Sequence, residues 1–135
     1  MLRTDGPADL PWWLRPAARR GWQSVLALAL LAVAWLAFDP APPPAADTGW
    51  DKANHVLAFA VLAWLASLAA WPHPRHRLIV AAGLLGYGLL IEAVQSQLPA
   101  RSAEWADLAA DAVGIACGLL AAAPWLHAPT VVRPH

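Results

Sequence analysis

Apolar residues run through this chain in four long blocks, at residues 22–38, 54–71, 78–98 and 105–126. A membrane-spanning helix needs about 20 predominantly apolar residues, with a range of about 17–25. All four blocks fall in that range, the first two at its short end. Strands of a membrane barrel alternate polar and apolar positions, which these blocks do not. Alanine and leucine dominate them instead, and both are strong helix formers. The pattern predicts an all-α polytopic membrane protein, a bundle of four transmembrane helices over residues 22–126 with tails at 1–21 and 127–135.

Breaks between the blocks are clean. The first, at 39–47, carries a run of prolines and reads as a stiff, extended spacer, because proline fixes φ and offers no amide donor. Residues 72–77 form the second turn and residues 99–104 the third. No internal repeat is apparent.

Composition agrees. Of 135 residues, 59% are hydrophobic and 13% charged, too little polar surface to clothe a soluble domain of this size. Lysine plus arginine and aspartate plus glutamate number nine each, so no excess of positive charge points to nucleic acid. The single cysteine, Cys117, excludes an internal disulfide and reads as packing.

Charge placement orients the spans. Arg3, Arg15, Arg19 and Arg20 precede the first, Arg75 and Arg77 lie in the second turn and Arg133 in the C-terminal tail. Basic residues mark cytoplasmic segments, so both termini are expected in the cytoplasm and the first and third loops outside, in an inner membrane. Trp22, Trp50, Trp71, Trp105 and Trp125 fit the aromatic belts at the interfaces. Arg19 and Arg20 before an apolar run also fit a cleaved signal peptide. The length of that run, with Trp22 and Trp35 inside it, favours a retained helix.

Polar residues inside the blocks are the candidates for chemistry. Glu92 lies roughly 10 Å below the outer end of the third span, and the spacing of Gly88, Glu92, Gln95 and Pro99 puts them on one helix face. Burying a carboxylate at the bilayer centre costs about 2.5–3.5 kcal/mol on insertion scales, so Glu92 must face other helices or a wet cavity. Asp107 and Asp111 are one turn apart on the fourth span, at a similar depth. Their face continues through Gly114 and Gly118, a small-residue spacing that lets helices approach closely. Asp51, Lys52 and His55 open the second span, and Arg101 hangs over the group from the third loop. A polar site of Lys52, His55, Glu92, Gln95, Arg101, Asp107 and Asp111, open to the outside, follows. Each member has a plainer reading: Asp51, Lys52 and Asp107 as caps or solvated helix ends, His55 as a hydrogen-bonded packing residue, Glu92 and Asp111 as ion-pair partners of Arg101. His55, Glu92, Asp107 and Asp111 could together bind a divalent cation, but they are scattered over three spans and lack a recognised ligand spacing. Neither a metal nor a cofactor is expected.

These residues resemble a known family. Asp51-Lys52 with His55, Glu92 with Gln95, Pro99 with Arg101, and Asp107, Asp111, Gly114 and Gly118 follow the pattern of VanZ-like membrane proteins across roughly residues 51–120. Val56 departs from the aromatic that often follows the family's histidine, with Phe59 one turn later. Asp111 stands where the family usually has asparagine. The resemblance implies a small helical envelope protein, and the family's founding member confers low-level resistance to teicoplanin, a lipid-tailed glycopeptide.

Three functional readings follow. The leading one is a pocket that engages an amphiphile or lipid-linked envelope component, with membrane lipids as the other partner. Arg101 would match an anionic head group, because its planar donors fit phosphate or carboxylate oxygens. The second is an enzyme on a lipid-linked substrate, with Glu92, Asp111 and His55 as acid and base groups. The third is a structural or assembly subunit in which the polar cluster only locks the bundle.

Overall fold

The computed structural model describes residues 11–70, 74–99 and 103–126. The fold is all-α, with α1 at Pro16–Phe38, α2 at Asp51–Ala69, α3 at Pro74–Gln95 and α4 at Trp105–Leu126. Single 3₁₀ turns occupy Trp12–Leu14 and Pro44–Ala46, so the proline-rich spacer is not extended throughout. Each of the four helices is long and apolar enough to cross a membrane.

Hydropathy marks where a block becomes apolar, not where a helix begins, and the ends differ accordingly. α1 starts at Pro16 rather than Trp22, since proline's fixed φ suits the first helical position and Arg19 and Arg20 are good helix formers. α2 starts at Asp51, whose carboxylate is favourable beside the positive end of the helix dipole. Arg75, His76 and Arg77, which the polarity pattern assigns to a turn, belong to α3. α3 stops at Gln95, and a turn follows in which Gln97 N donates to Val94 O at 3.0 Å and Leu98 N to Gln95 O at 2.9 Å. Glu92 therefore sits in the last turn of α3 rather than roughly 10 Å below its end, and Pro99 does not share its helical face.

α2 is the central helix and packs on the other three. Phe59, Leu62, Ala63, Leu84, Ile91 and Ile115 form the buried core, drawn from α2, α3 and α4. Leu28, Leu31, Leu57, Leu78, Ile79 and Leu120 point outward and are exposed. Water would penalise an apolar exterior of this extent, whereas lipid tails solvate it. Cys117 lies on this outer surface, so its expected packing role does not hold.

Antiparallel neighbours give the bundle two chemically different ends. At one, Trp22, Trp64, Trp125 and Trp13 meet edge to face with ring centroids 5.8–6.2 Å apart, and Trp13 Nε1 donates to Trp125 O at 3.2 Å. Arg19 Nε donates to Ala69 O at 3.3 Å there, helping satisfy the carbonyls at the end of α2. At the other end stand Asp39, Asp47, Asp51, Glu104 and Asp107, close to the start or finish of their helices.

Candidate functional site

The chain reaches the start of α2 through a small polar knot. Gly49 adopts φ +77°, a conformation that favours glycine. Asp47 Oδ1 accepts from Gly49 N at 2.9 Å and from Asn54 Nδ2 at 2.8 Å, and Asn54 Oδ1 accepts from Thr48 N at 2.9 Å. These bonds hold the spacer against the first turn of α2 and so set where Asp51, Lys52 and His55 begin.

From that turn, Lys52 reaches across to α4. Its Nζ lies 2.8 Å from Glu104 Oε2 and 2.9 Å from Asp107 Oδ1. Asp107 is buried, so the ammonium neutralises a carboxylate that water does not reach. Lys52's hydrogen bond, followed by its charge, holds the Glu104 carboxyl below its ordinary value.

One turn deeper, His55 Nδ1 and Asp111 Oδ1 are 2.8 Å apart. Asp111 is fully buried, and its Oδ2 has no hydrogen-bond partner among the described residues. Room for that carboxylate exists because Gly88 faces it from α3. A Cβ on Gly88 would strike Asp111 Oδ2 and lie 3.2 Å from Phe59 Cζ. Gly114 and Gly118 perform the corresponding service for α2. A Cβ on Gly118 would meet Ala63 Cβ at 2.8 Å and the Ala60 carbonyl, and one on Gly114 would meet Ala60 N at 3.1 Å. The glycines thus seat α4 directly on α2, as their spacing suggests, and that seating brings Asp107 and Asp111 to Lys52 and His55.

Glu92, 7% exposed, accepts Glu104 N at 2.9 Å through Oε2, while Oε1 has no partner among the described residues. It ties the end of α3 to the start of α4. Gln95 is buried too but turns elsewhere, its Nε2 donating to Ala37 O of α1 at 2.9 Å. Of the residues proposed from sequence, the structure gathers Lys52, His55, Glu92, Asp107 and Asp111 at the junction of α2, α3 and α4 and places Gln95 on the α1 side. Arg101 lies outside the described residues, as do Trp71 and the segments 1–10 and 127–135.

Two participants were not singled out by the polar pattern. Glu104 reads as a loop acid, yet its side chain holds Lys52 and its amide holds Glu92; its place just before an apolar block is the available signal. Asp51 reads as a cap, yet Asp51, His55 and Asp107 bring one ligand-capable atom each to within 4.8 Å of one another. These three differ from the four donors weighed from sequence and come from two helices, α2 and α4, which the glycine contact draws together. The one-turn spacing of Asp51 and His55 is visible in sequence, but their approach to Asp107 is not.

On the opposite side of α2 lies an open cavity of about 690 Å³ between α1, α2, the spacer and the end of α3. Its polar end is formed by Asp51, Asn54, His55 and Gln95, and its walls run along Val33 and Leu36 of α1 and Leu57, Ala58, Val61 and Leu62 of α2. His55 belongs to both regions, lining the cavity while bonded to Asp111 behind it. The arrangement offers a shaped apolar slot with a polar head, backed by carboxylates able to hold a cation or take up a proton. No family model, curated protein or solved structure matches this chain.

Proposed function

We propose that the chain is a VanZ-like membrane protein of the cell envelope whose cavity engages an amphiphile. The head group sits at the mouth formed by Asp51, His55 and Gln95, and the tail lies between α1 and α2. The cavity carries this reading: one slot joins a polar end to apolar walls, the polarity of a single-tailed amphiphile. Arg15, Arg19, Arg20, Arg75 and Arg77 belong to the tryptophan end of the bundle. By the positive-inside rule that end is cytoplasmic, which puts the mouth at the outer leaflet. The family's link with teicoplanin, itself lipid-tailed, makes lipoglycopeptide susceptibility the first phenotype to assay.

The test uses a photoactivatable single-tailed amphiphile and the chain reconstituted in nanodiscs. Saturable labelling of Leu36, Leu57 or Val61 is expected, and Ala58→Trp, which fills the slot, should abolish it at unchanged membrane abundance. Labelling that never saturates, or that survives Ala58→Trp, rejects the reading. A second reading, acid–base work on a lipid-linked substrate, has one observation in its favour: Glu92 and Asp111 each keep a buried carboxylate oxygen without a partner among the described residues, a free position from which to give or take a proton. Glu92→Gln preserves shape and removes titration. It should abolish a turnover phenotype while leaving amphiphile labelling intact.

A further inference from the structure

Asp51, His55 and Asp107 approach within 4.8 Å through their ligand-capable atoms, and their surroundings are those of a ligand set. His55 Nδ1 is held at 2.8 Å by Asp111, a carboxylate from outside the trio that is itself fully buried. A neutral imidazole donating from Nδ1 presents its lone pair at Nε2. Metal-bound histidines donate their other ring N–H to a carboxylate, a backbone carbonyl or a water, which fixes both tautomer and ring orientation. Asp107 gives Oδ1 to Lys52, so a cation would be bound through Oδ2. Asp51 is exposed, and together with His55 it lines the cavity, which provides a route in.

A second observation points to a cation. Asp111 Oδ2 and Glu92 Oε1, on side chains more than nine-tenths buried, lack hydrogen-bond partners among the described residues. Among the described residues, Lys52 is the one lysine or arginine bonded to this group, which holds the carboxyls of Asp51, Glu92, Glu104, Asp107 and Asp111. Negative charge collected in a low-dielectric bundle is unfavourable unless cations or protons compensate it. A divalent ion at the trio would do so.

We propose that Asp51, His55 and Asp107 form a site for a first-row divalent cation of the zinc or manganese type, with its remaining positions open to the cavity. One imidazole nitrogen among carboxylate oxygens favours these ions over calcium or magnesium. Donors around tetrahedral zinc at about 2.1 Å stand about 3.4 Å apart, so the trio has to contract, by up to about 1.4 Å between any two donors. The proposal stands on this geometry and does not depend on the amphiphile reading.

The experiment takes the full chain, purified in detergent and stripped with chelator, through titrations with Zn²⁺ and with Mn²⁺, scored by equilibrium dialysis with elemental analysis. Co²⁺ absorption serves as a spectroscopic signature of nitrogen and oxygen ligation. One equivalent per chain is expected. Asp51→Asn should weaken binding at least about tenfold, His55→Ala more, and Asp111→Asn by about 10–100-fold through the lost support of the imidazole. His76→Gln, at the opposite end of the bundle, should change nothing. If His55→Ala fails to elute as a folded species, Asp51→Asn decides, because its side chain is exposed. No uptake by the wild type, or unchanged affinity in Asp51→Asn, overturns the site. Amphiphile labelling scored beside metal uptake keeps the two readings apart: saturable labelling without metal uptake refutes the metal site alone, and metal uptake without labelling refutes the amphiphile reading alone.

Discussion

The two sides of α2 are built on opposite principles. Toward α4, glycines bring backbone against backbone, and a single added methyl at Gly118 would meet the Ala60 carbonyl. Toward α1 the packing is loose: no residue of α1 is buried, and a cavity of about 690 Å³ separates part of that helix from α2. Yet the tight side holds the buried carboxylates and the loose side a slot walled mainly by apolar residues, the reverse of a soluble core. In a membrane, apolar surface is already solvated by lipid, so it can be left unpacked. Carboxylates have no such solvent and must be surrounded by protein. Close packing here serves to shelter charge, and open packing leaves volume for a guest.

Enlarging a side chain on each side tests that contrast. Gly118→Val should have the largest effect, a loss of about 1–3 kcal/mol from overpacking, because the obstructing atoms are backbone and cannot rotate away. Thermal unfolding in detergent should show the lowered midpoint, and an unchanged midpoint would mean that α2 and α4 are not in close contact. Gly88→Ala comes next. Its methyl would land on the Asp111 carboxylate, which can rotate, so stability should fall by less than for Gly118→Val. The His55–Asp111 bond should loosen, which imidazole nitrogen chemical shifts would report. Ala58→Leu on the loose side should leave stability unchanged or raise it by up to about 1 kcal/mol, as cavity filling does. A loss comparable to that of Gly118→Val would erase the distinction between the two sides.

The smallest effect concerns the exposed rim. Lys52 holds the Glu104 carboxyl below its ordinary value, so the folded state binds that proton less readily than the unfolded chain. The stabilisation is complete above the ordinary glutamate range and disappears as pH falls through the lower folded value. Glu104→Gln should therefore be slightly less stable than wild type near neutrality, and the gap should close in acid. A gap that widened in acid would contradict the Lys52–Glu104 pairing.

Much of this was legible along the chain, for identifiable reasons. Four apolar blocks announce four helices because lipid requires continuous apolar length, a property read one residue after another. Gly114 and Gly118 announce a close contact because only small residues permit one. Gln95 shows the limit: it sits one turn from Glu92 on a shared face, yet it bonds to Ala37 while Glu92 bonds to Glu104. Side-chain reach and helix rotation separate them, and neither is encoded in spacing alone. Likewise α1 begins at Pro16 and not at Trp22 because helix formation tolerates arginines that hydropathy counts as an interruption.

Local sequence thus determined the helix number, the membrane setting, the separation of basic from acidic ends and the small-residue face of α4. Each depends on residues a few positions apart, where covalent geometry dictates proximity. Tertiary structure alone decided which partner each polar group takes: Lys52 with Asp107, His55 with Asp111, Asp51 within reach of Asp107, and Gln95 with α1. Those pairs join residues from different helices, so they depend on how far each helix is rotated and how closely it approaches its neighbour. The approach was set by glycines that lack a Cβ, and the rotation by carboxylates that find no solvent in lipid.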